Sequence, residues 1–304
     1  MSLSDHVIET DGLSKRYGRK LALDHLDLRI PRGRIHAIVG ANGAGKSTLF
    51  RALLGFLAPS AGSARILGRD SARLSPQDRA RIGFVNEEHT LPGWMRVADI
   101  ARMQRREYPR WNPCAYDEVI GHYHVLPEQK VGQLSRGERA GFNLALALAR
   151  SPELLILDEP TLGLDVVAKR AFLESLMYSN ATEQCTVIYC SHQMEEIERV
   201  ADNLIILERG RLVHMSAPDE FCARVSHWIA DIPFKGPDAV DIPGLLERQR
   251  IDGLQHYLVF DQDEDFGEFL RGAGARNVQC MPVSLDRAVN AFLAKNHITP
   301  TASA

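Results

Sequence analysis

The stretch from Gly40 to Thr48, GANGAGKST, constrains the fold of this chain more than any other part of the sequence. It follows an apolar run over 35–39 and precedes residues 49–54, whose apolar spacing predicts a buried helix. A glycine-rich turn between a strand and a helix is the setting of a phosphate-binding P-loop. Because glycine has no Cβ, backbone N–H groups can curl around phosphate oxygens, and the dipole of the following helix favours an anion. The stretch therefore predicts that the chain binds a nucleoside triphosphate.

Residues of different types in this stretch have different predicted roles. Lys46 reaches the outer phosphates as a compact cation, and the Ser47 hydroxyl ligates Mg²⁺. The alternative interpretation, a glycine-rich turn without a ligand, is disfavoured by the position of the stretch between a strand and a helix. The predicted contacts to the nucleotide come from Gly40, Asn42, Gly43, Gly45, Lys46, Ser47 and Thr48.

Composition and charge narrow the class of protein. Of 304 residues, 45% are hydrophobic, which is enough for a substantial core, and the formal net charge of -3 gives no global attraction for nucleic acid. The five cysteines are scattered and form no Cys-x-x-Cys pair, which indicates free thiols in a reducing compartment. The N-terminus lacks the pattern of a signal peptide, and no apolar run reaches the roughly 20 residues that span a bilayer. We therefore expect a chain that reaches a membrane only through another chain.

Hydrophobic patterning divides the chain into a large α/β domain over 1–219 and a small α/β appendage over 220–304. Residues 6–34 alternate like short strands, with Gly12 and Gly18 as turn signals. The appendage carries no recognisable chemistry, and its simplest interpretation is packing or support of a dimer.

Two unbroken apolar runs, 154–157 and 187–190, are typical of strands buried on both faces of a parallel sheet. Asp158, at the end of the first run, is where a P-loop enzyme places a carboxylate near Mg²⁺. Glu159 is predicted to point to the opposite side of the strand and to polarise the attacking water. His192 follows the second run and is predicted to contact the γ-phosphate, because ligands bind at the carboxyl ends of parallel strands. The alternatives are a solvated Asp-Glu turn and a structural histidine.

Over its first 215 residues the chain resembles the ATP-binding subunits of ABC transporters. The P-loop matches Walker A, residues 154–158 match Walker B with Glu159 as the catalytic glutamate, and His192 matches the switch histidine. The stretch LSRGE at 134–138 is similar to the signature motif, and LGLD at 162–165 is similar to the D-loop. The resemblance further implies that Tyr17 stacks on adenine and that Ser135, Gly137 and Asp165 contact nucleotide.

Two positions depart from the family pattern. Glu87 stands where the Q-loop glutamine is usual, and as a carboxylate it is expected to ligate Mg²⁺. Arg136 and Glu138 replace the usual glycine and glutamine of the signature. Arg136 either adds a cation near phosphate or faces solvent.

The resemblance implies a P-loop NTPase of ABC type, with a mixed sheet core, an N-terminal antiparallel part and an inserted helical subdomain at about 88–150. It implies an ATPase that uses ATP and Mg²⁺, and two cassettes, identical or different, that pair head to tail around two ATP. It also implies a permease in a separate chain and a location at the cytoplasmic face of the cell membrane. The tail and the stretch YPRW at 108–111 are similar to exporter subunits of the ABC-2 type.

Two other functions remain open from the sequence. A soluble ABC-type ATPase acting on ribosomes or DNA is disfavoured because the chain has one cassette and no heptad insert, and no nucleic acid partner is expected. A regulatory cassette that binds ATP without hydrolysis would be expected to lack Glu159 or His192, and both are present. The unusual Glu87 keeps a weak form of that interpretation open.

Overall fold

A computed structural model describes residues 5–183, 185–232 and 237–298 of the chain. Within these residues the chain forms two compact units. The first runs to His192 and resumes over Arg199–Met215, and the second comprises Gln193–Glu198 and the described residues from Ser216 onward. The sequence-based boundary between 219 and 220 lies close to this division and stays a prediction.

The strands alternate with helices along most of the first unit. In chain order the strands are β1 His6–Tyr17, β2 Lys20–Pro31, β3 Ile35–Val39, β4 Ala61–Ile66, β5 Arg69–Asp70, β6 Ile82–Val85, β7 Leu154–Asp158, β8 Thr186–Cys190, β9 Asn203–Glu208, β10 Arg211–Ser216, β11 Val225–Asp231, β12 Leu245–Ile251, β13 Leu254–Phe260 and β14 Arg276–Met281. The α-helices are α1 Lys46–Leu53, α2 Pro76–Ala80, α3 Val97–Glu107, α4 Pro113–Gly121, α5 Arg136–Ala149, α6 Val166–Glu183, α7 Met194–Val200, α8 Pro218–Ala223, α9 Asp265–Gly272 and α10 Leu285–Ile298. Single 3₁₀ turns cover Ser71–Arg73, Val131–Gln133 and Ala239–Asp241.

The central sheet of the first unit has the strand order β10-β9-β3-β8-β7-β6. Strand β3 pairs in parallel with both β8 and β9, and β7 pairs in parallel with β6 and β8. β3, β8 and the apolar part of β7 are buried throughout, as their unbroken apolar sequences predict. Because these strands are parallel, the segments that follow β3, β6, β7 and β8 meet at one edge of the sheet. Every predicted catalytic residue lies in one of these segments or next to it.

A second sheet of the first unit, with the order β2-β1-β4-β5, contains the N-terminal antiparallel strands. The prediction of short strands over 6–34 is wrong, because β1 and β2 are long and are joined in one hairpin with Gly18 in its turn. Gly12 lies inside β1, where the register of pairing shifts and its φ is +54°. It therefore accommodates a bulge instead of ending a strand.

Helices α3, α4 and α5 lie within the range 88–150, where the resemblance implies a helical subdomain. Gly141, in the middle of α5, is in close contact with Tyr123, because a Cβ at this position would overlap the aromatic ring. A glycine inside a helix is unfavourable, and here it permits the close approach of that ring. The extent of an inserted subdomain at 88–150 stays a prediction.

The second unit contains an antiparallel sheet of order β12-β13-β11-β14 and its own small core. A turn at Asp252-Gly253 joins β12 to β13, and helices α9 and α10 complete the small α/β unit that the sequence predicts. Trp228, Tyr257 and Phe266 pack together in the core of this unit. In the described ranges, no helix combines the length and the apolar character needed to cross a membrane.

Candidate functional site

A cavity of about 340 Å³ lies at the edge of the central sheet where the segments after β3, β6 and β7 meet. The P-loop forms one wall, the end of the N-terminal hairpin forms another, and three carboxylates complete the lining. The lining residues are Tyr17, Lys20, Ala22, Asn42, Gly43, Ala44, Gly45, Lys46, Ser47, Thr48, Glu87, Asp158 and Glu159. The cavity thus brings together most of the residues that the sequence predicted to contact nucleotide and metal.

The turn before α1 is shaped by glycines in conformations that other residues avoid. Gly45 immediately precedes α1 with φ of +106°, and a Cβ there would lie 2.5 Å from the carbonyl oxygen of Ala22. The Lys46 ammonium donates to the Gly40 carbonyl oxygen at 2.6 Å, so the lysine is folded back over the loop. Gly40 itself is not among the lining residues, and its predicted contact with nucleotide stays a prediction. The loop presents backbone N–H groups, a cation and a hydroxyl to the same space.

Glu159 lies one residue beyond β7 and has φ of +50°. The prediction that it points away from Asp158 is wrong, because both carboxylates line the cavity. The left-handed conformation of Glu159 interrupts the strand geometry in which successive side chains point to opposite faces. Its backbone N–H donates to the Cys190 carbonyl oxygen at 3.0 Å. The end of β8 therefore holds the backbone of Glu159 in place.

The side chain of Glu159 also contacts the end of β8. Its Oε2 is 2.8 Å from Nδ1 of His192, and the Cys190 thiol donates to Oε1 at 4.0 Å. Burial raises the pKa of the Glu159 carboxyl, while the nearby His192 and Lys46 act in the opposite direction. In this conformation His192 contacts Glu159, and its predicted contact with a γ-phosphate stays a prediction.

Glu87 follows β6 and lines the nucleotide cavity together with Ser47 and Asp158. Within the described ranges, no group of three or more His, Cys, Asp or Glu side chains forms a ready-made metal site. One hydroxyl and two carboxylates beside a phosphate-binding loop nevertheless fit Mg²⁺, which is usually bound by one or two carboxylates together with substrate phosphates and water. Ser47, Glu87 and Asp158 are thus the side chains that would hold the ion.

The signature stretch does not reach this cavity within one chain. Ser135 caps α5, since its hydroxyl accepts from the Glu138 N–H at 3.2 Å and the Glu138 carboxylate accepts from the Ser135 N–H at 2.7 Å. Asp165 accepts from the Ala168 N–H at 2.9 Å, at the start of α6. Ser135, Gly137 and Asp165 are absent from the lining residues. Their predicted nucleotide contacts would therefore require a second copy.

Arg136 is exposed, which agrees with the second of the two placements that the sequence suggested. Its guanidinium packs against Gly163 of the same chain, because a Cβ on Gly163 would lie 2.7 Å from Nη1. The small size and the positive φ of Gly163 make room for this contact. The signature helix and the segment after Glu159 are thus in direct contact.

Sequence reasoning missed several residues of this region. Lys20 and Ala22, on β2, line the cavity, and only their closeness to Tyr17 in the hairpin could have indicated them. His89 is 1% exposed, and its Nε2 lies 2.9 Å from the Pro160 carbonyl oxygen. Burial lowers the pKa of His89 to about 4, although the bond to Pro160 opposes this effect. No motif in the sequence singled out this histidine.

Comparisons with known proteins agree on one family. The family model described as ABC transporter matches residues 23–162. The daunorubicin resistance ATP-binding protein DrrA3 of Streptomyces coeruleorubidus is 35% identical over 227 residues, which cover 73% of this chain and 71% of the relative. The Nod factor export ATP-binding protein I of Rhizobium johnstonii is 35% identical and covers 71% of each chain. The sulfate/thiosulfate import ATP-binding protein CysA of Yersinia pseudotuberculosis is 33% identical and covers 70% of this chain and 61% of the relative.

A solved structure supports the same similarity at the level of the fold. The structure described as the ATP binding subunit of an ABC transporter superposes with a TM-score of 0.64 and 25% identity. The match covers 71% of this chain and 92% of that one. The predicted fold class, a P-loop ATPase with mixed α/β sheets and helical insertions, is confirmed.

Proposed function

We propose, from the premise that this chain belongs to the ABC transporter family and is an ATP-binding ATPase subunit of it, that it drives a separate membrane permease and works in export. The observation that carries the catalytic part is the single cavity lined by the P-loop together with Glu87, Asp158 and Glu159. A phosphate-binding loop and carboxylates on the same cavity are what hydrolysis of a nucleoside triphosphate needs.

Each of these side chains has its own role in the proposed reaction. Tyr17 stacks on the base, the P-loop amides and Lys46 bind the β- and γ-phosphates, and Glu159 orients and deprotonates the attacking water. Mg²⁺, when held by Ser47, Asp158 and Glu87, neutralises charge on the phosphates. Burial of Glu159 supports its role as base, because it raises the pKa of the carboxyl and favours its acceptance of a proton.

Two cassettes close on two ATP molecules in this proposal. Ser135 and Gly137 lie outside the cavity of their own chain, at the N-terminal end of α5, where the helix dipole favours an anion. A second copy would bring this end against the γ-phosphate bound by the first. Hydrolysis removes the γ-phosphate contacts and lets the pair separate.

The motion passes to the permease through the segment that carries Glu87. A second cavity of about 360 Å³ shares Ser47, Glu87 and Asp158 with the nucleotide cavity and is also lined by Phe56 and Phe84. The side chain of Phe56 is 65% exposed. Such a surface next to the nucleotide supports a permease contact that senses occupancy, and with it a peripheral position of the chain at the cytoplasmic face of the membrane.

The test of the partner is co-purification of the full chain from detergent-solubilised membranes. We expect a polytopic membrane protein to be recovered together with the chain and to increase its rate of phosphate release. Recovery of ribosomes or DNA without any membrane protein would contradict the permease and support the soluble alternative.

The direction of transport needs a separate measurement, because the relatives include both an export and an import protein by name. Cells that carry Glu159→Gln in this chain can be compared with wild-type cells for small molecules inside the cell and in the medium. Export predicts a compound that accumulates in the mutant cells and is depleted from their medium. The reverse distribution would contradict export.

A further inference from the structure

His89 joins two segments of the nucleotide site through one buried hydrogen bond. It follows Glu87 by two positions, in the segment between β6 and α3. Its Nε2 lies 2.9 Å from the Pro160 carbonyl oxygen. A carbonyl oxygen only accepts, so the imidazole donates from Nε2 and, as the neutral tautomer, leaves Nδ1 as an acceptor. Pro160 directly follows Glu159, and the bond therefore acts on the backbone next to the proposed base.

The segment from Glu159 to Gly163 depends on such contacts for its shape. Glu159 has a left-handed φ of +50°, a conformation that persists only where surrounding contacts hold it. Pro160 has no N–H, so its carbonyl is the only backbone group through which this residue can be anchored. The Arg136 guanidinium packs against Gly163 at the other end of the segment. His89 and Arg136 thus hold the segment at two points.

The other nitrogen of His89 has no hydrogen-bond partner within the described part of this structure. Among the described residues, Nδ1 of His89 and Nε of Arg139 are both buried and without a hydrogen-bond partner. Arg139 lies on α5, one turn after Ser135, and its charge acts on the His89 imidazole. A buried donor and a buried acceptor without partners are costly, and pairing them with each other would remove both penalties.

We propose that His89 is a positioning residue that ties the Glu87 segment and the signature helix to Glu159, with Nε2–H donating to Pro160 and Nδ1 accepting from Arg139 in the closed, ATP-bound cassette. The bonds fix the backbone from which the Glu159 carboxylate reaches the attacking water. This inference rests on the proposed role of Glu159 as the base. Binding of ATP does not depend on His89, because His89 is not among the residues that line the nucleotide cavity.

The test compares two amide substitutions of similar polarity in the full chain. The longer amide of His89→Gln can place an N–H where Nε2 was, whereas the shorter amide of His89→Asn mimics Nδ1 and does not reach Pro160. We expect His89→Ala and His89→Asn to lower kcat for ATP hydrolysis by about tenfold to a hundredfold with little change in KM, since small misplacement of a catalytic group has effects of this size. His89→Gln is expected to recover most of kcat.

Equal kcat in His89→Gln and His89→Asn would overturn the inference, and so would an unchanged kcat in His89→Ala. If His89 had only a structural role, all three variants would have a lower melting temperature and less active protein, and kcat would not differ between His89→Gln and His89→Asn. Glu159→Gln, assayed in parallel, separates the two claims. If Glu159→Gln hydrolyses ATP like the wild type, the proposed base is wrong; if it is inactive and His89→Ala is normal, only the inference about His89 fails.

A double-mutant cycle tests the bond to Arg139. If His89 and Arg139 act as a unit, His89→Ala combined with Arg139→Ala lowers kcat no further than the more severe single substitution. Arg102→Ala is the matched control, because Arg102 lies on α3 and pairs with Asp99 at the surface. Its effect should simply add to that of His89→Ala. Additive losses for Arg139 would contradict the proposed pair.

Discussion

Glu159 has a backbone conformation that few glutamates adopt, and its neighbours explain why it is held there. The Cys190 carbonyl accepts from its N–H, and His192 and the Cys190 thiol contact its carboxylate. Cys190 ends the apolar run at 187–190; it is fully buried, and its thiol also contacts the proposed base. Single residues at the end of β8 therefore determine where the carboxylate lies.

The thiol of Cys190 is expected to resist alkylation in the folded chain. Burial raises the pKa of this thiol, and only the thiolate reacts. Cys114 is exposed and serves as the internal reference. Mass spectrometry after brief treatment with iodoacetamide should find Cys114 labelled at least about tenfold more than Cys190, with the difference lost in denaturant. Comparable labelling of both in the folded protein would contradict the burial of this site.

His36 predicts a pH dependence of stability. It is fully buried in β3, its Nε2 is 3.0 Å from the Pro31 carbonyl oxygen, and burial lowers its pKa from 6.5 to about 4. The unfolded chain therefore binds a proton at this histidine below about pH 6.5, while the folded chain does not do so until about pH 4. The contribution of neutral, buried His36 to the free energy of unfolding is therefore complete above the pKa of the unfolded chain, and it is lost as the pH falls from about 6.5 to about 4.

The size of this effect follows from the two pKa values. Between about pH 7 and pH 5 the loss from His36 amounts to about 2 kcal/mol in the free energy of unfolding. Urea unfolding at both pH values should show a smaller loss for His36→Gln than for the wild type, whatever the absolute stability of the variant. An equal pH dependence in both proteins would show that His36 is not the group that titrates.

At the scale of elements, the start of α5 has two roles: it stabilises the helix through a cap, and it contacts nucleotide in the proposed dimer. Ser135 and Glu138 form a reciprocal cap, and Ser75 and Asp78 form the same kind of cap on α2. The Ser75 cap is remote in sequence from every proposed site residue, so the two serines are a matched pair. Comparing them separates the loss of stability caused by removing a cap from the loss of activity caused by removing a contact with nucleotide.

Ser135→Ala and Ser75→Ala should each lower the free energy of unfolding by about 1 kcal/mol, the usual cost of losing an N-cap. Only Ser135→Ala is expected to slow phosphate release as well, because its hydroxyl and the start of α5 face the γ-phosphate of a second copy in the proposed dimer. Urea unfolding and a phosphate assay on the same samples check both effects. A normal rate in Ser135→Ala would contradict the contact across the dimer.

Sequence reasoning predicted most elements because their signals are local. The turn before α1 and the apolar strands β7 and β8 each have a pattern that is complete within a few residues. The length of β1 was not predictable, because a glycine inside a bulge and a glycine in a turn look the same in sequence. The left-handed φ of Glu159 was not predictable either, because the strand β8 that holds it is distant in the chain.

The contacts that sequence reasoning missed are those between segments far apart in the chain. His89 and Pro160 are separated by 71 positions, and nothing in either local sequence predicts their bond. Arg136 was expected near phosphate or in solvent; it is exposed, and its guanidinium also packs on Gly163, a contact that the sequence did not predict. Motifs identify which residue types are present, whereas the packing of loops against one another decides what they touch.

At the scale of the whole molecule, the first unit contains all of the proposed catalytic side chains. The edge of its central sheet brings the P-loop, the Glu87 segment and the Glu159 segment into one cavity. The central claim is that this cavity hydrolyses ATP with Glu159 as the base. The second unit has its own sheet and core, and none of its described residues lines that cavity.

The most direct measurement of this claim is the rate of phosphate release by Glu159→Gln together with its affinity for ATP. The substitution keeps the size of the side chain and removes the base, so ATP should bind with a Kd within about threefold of the wild type while release falls by at least about a hundredfold. Lys46→Ala is the control that should lose binding itself. Normal phosphate release from Glu159→Gln with normal ATP affinity would contradict the account.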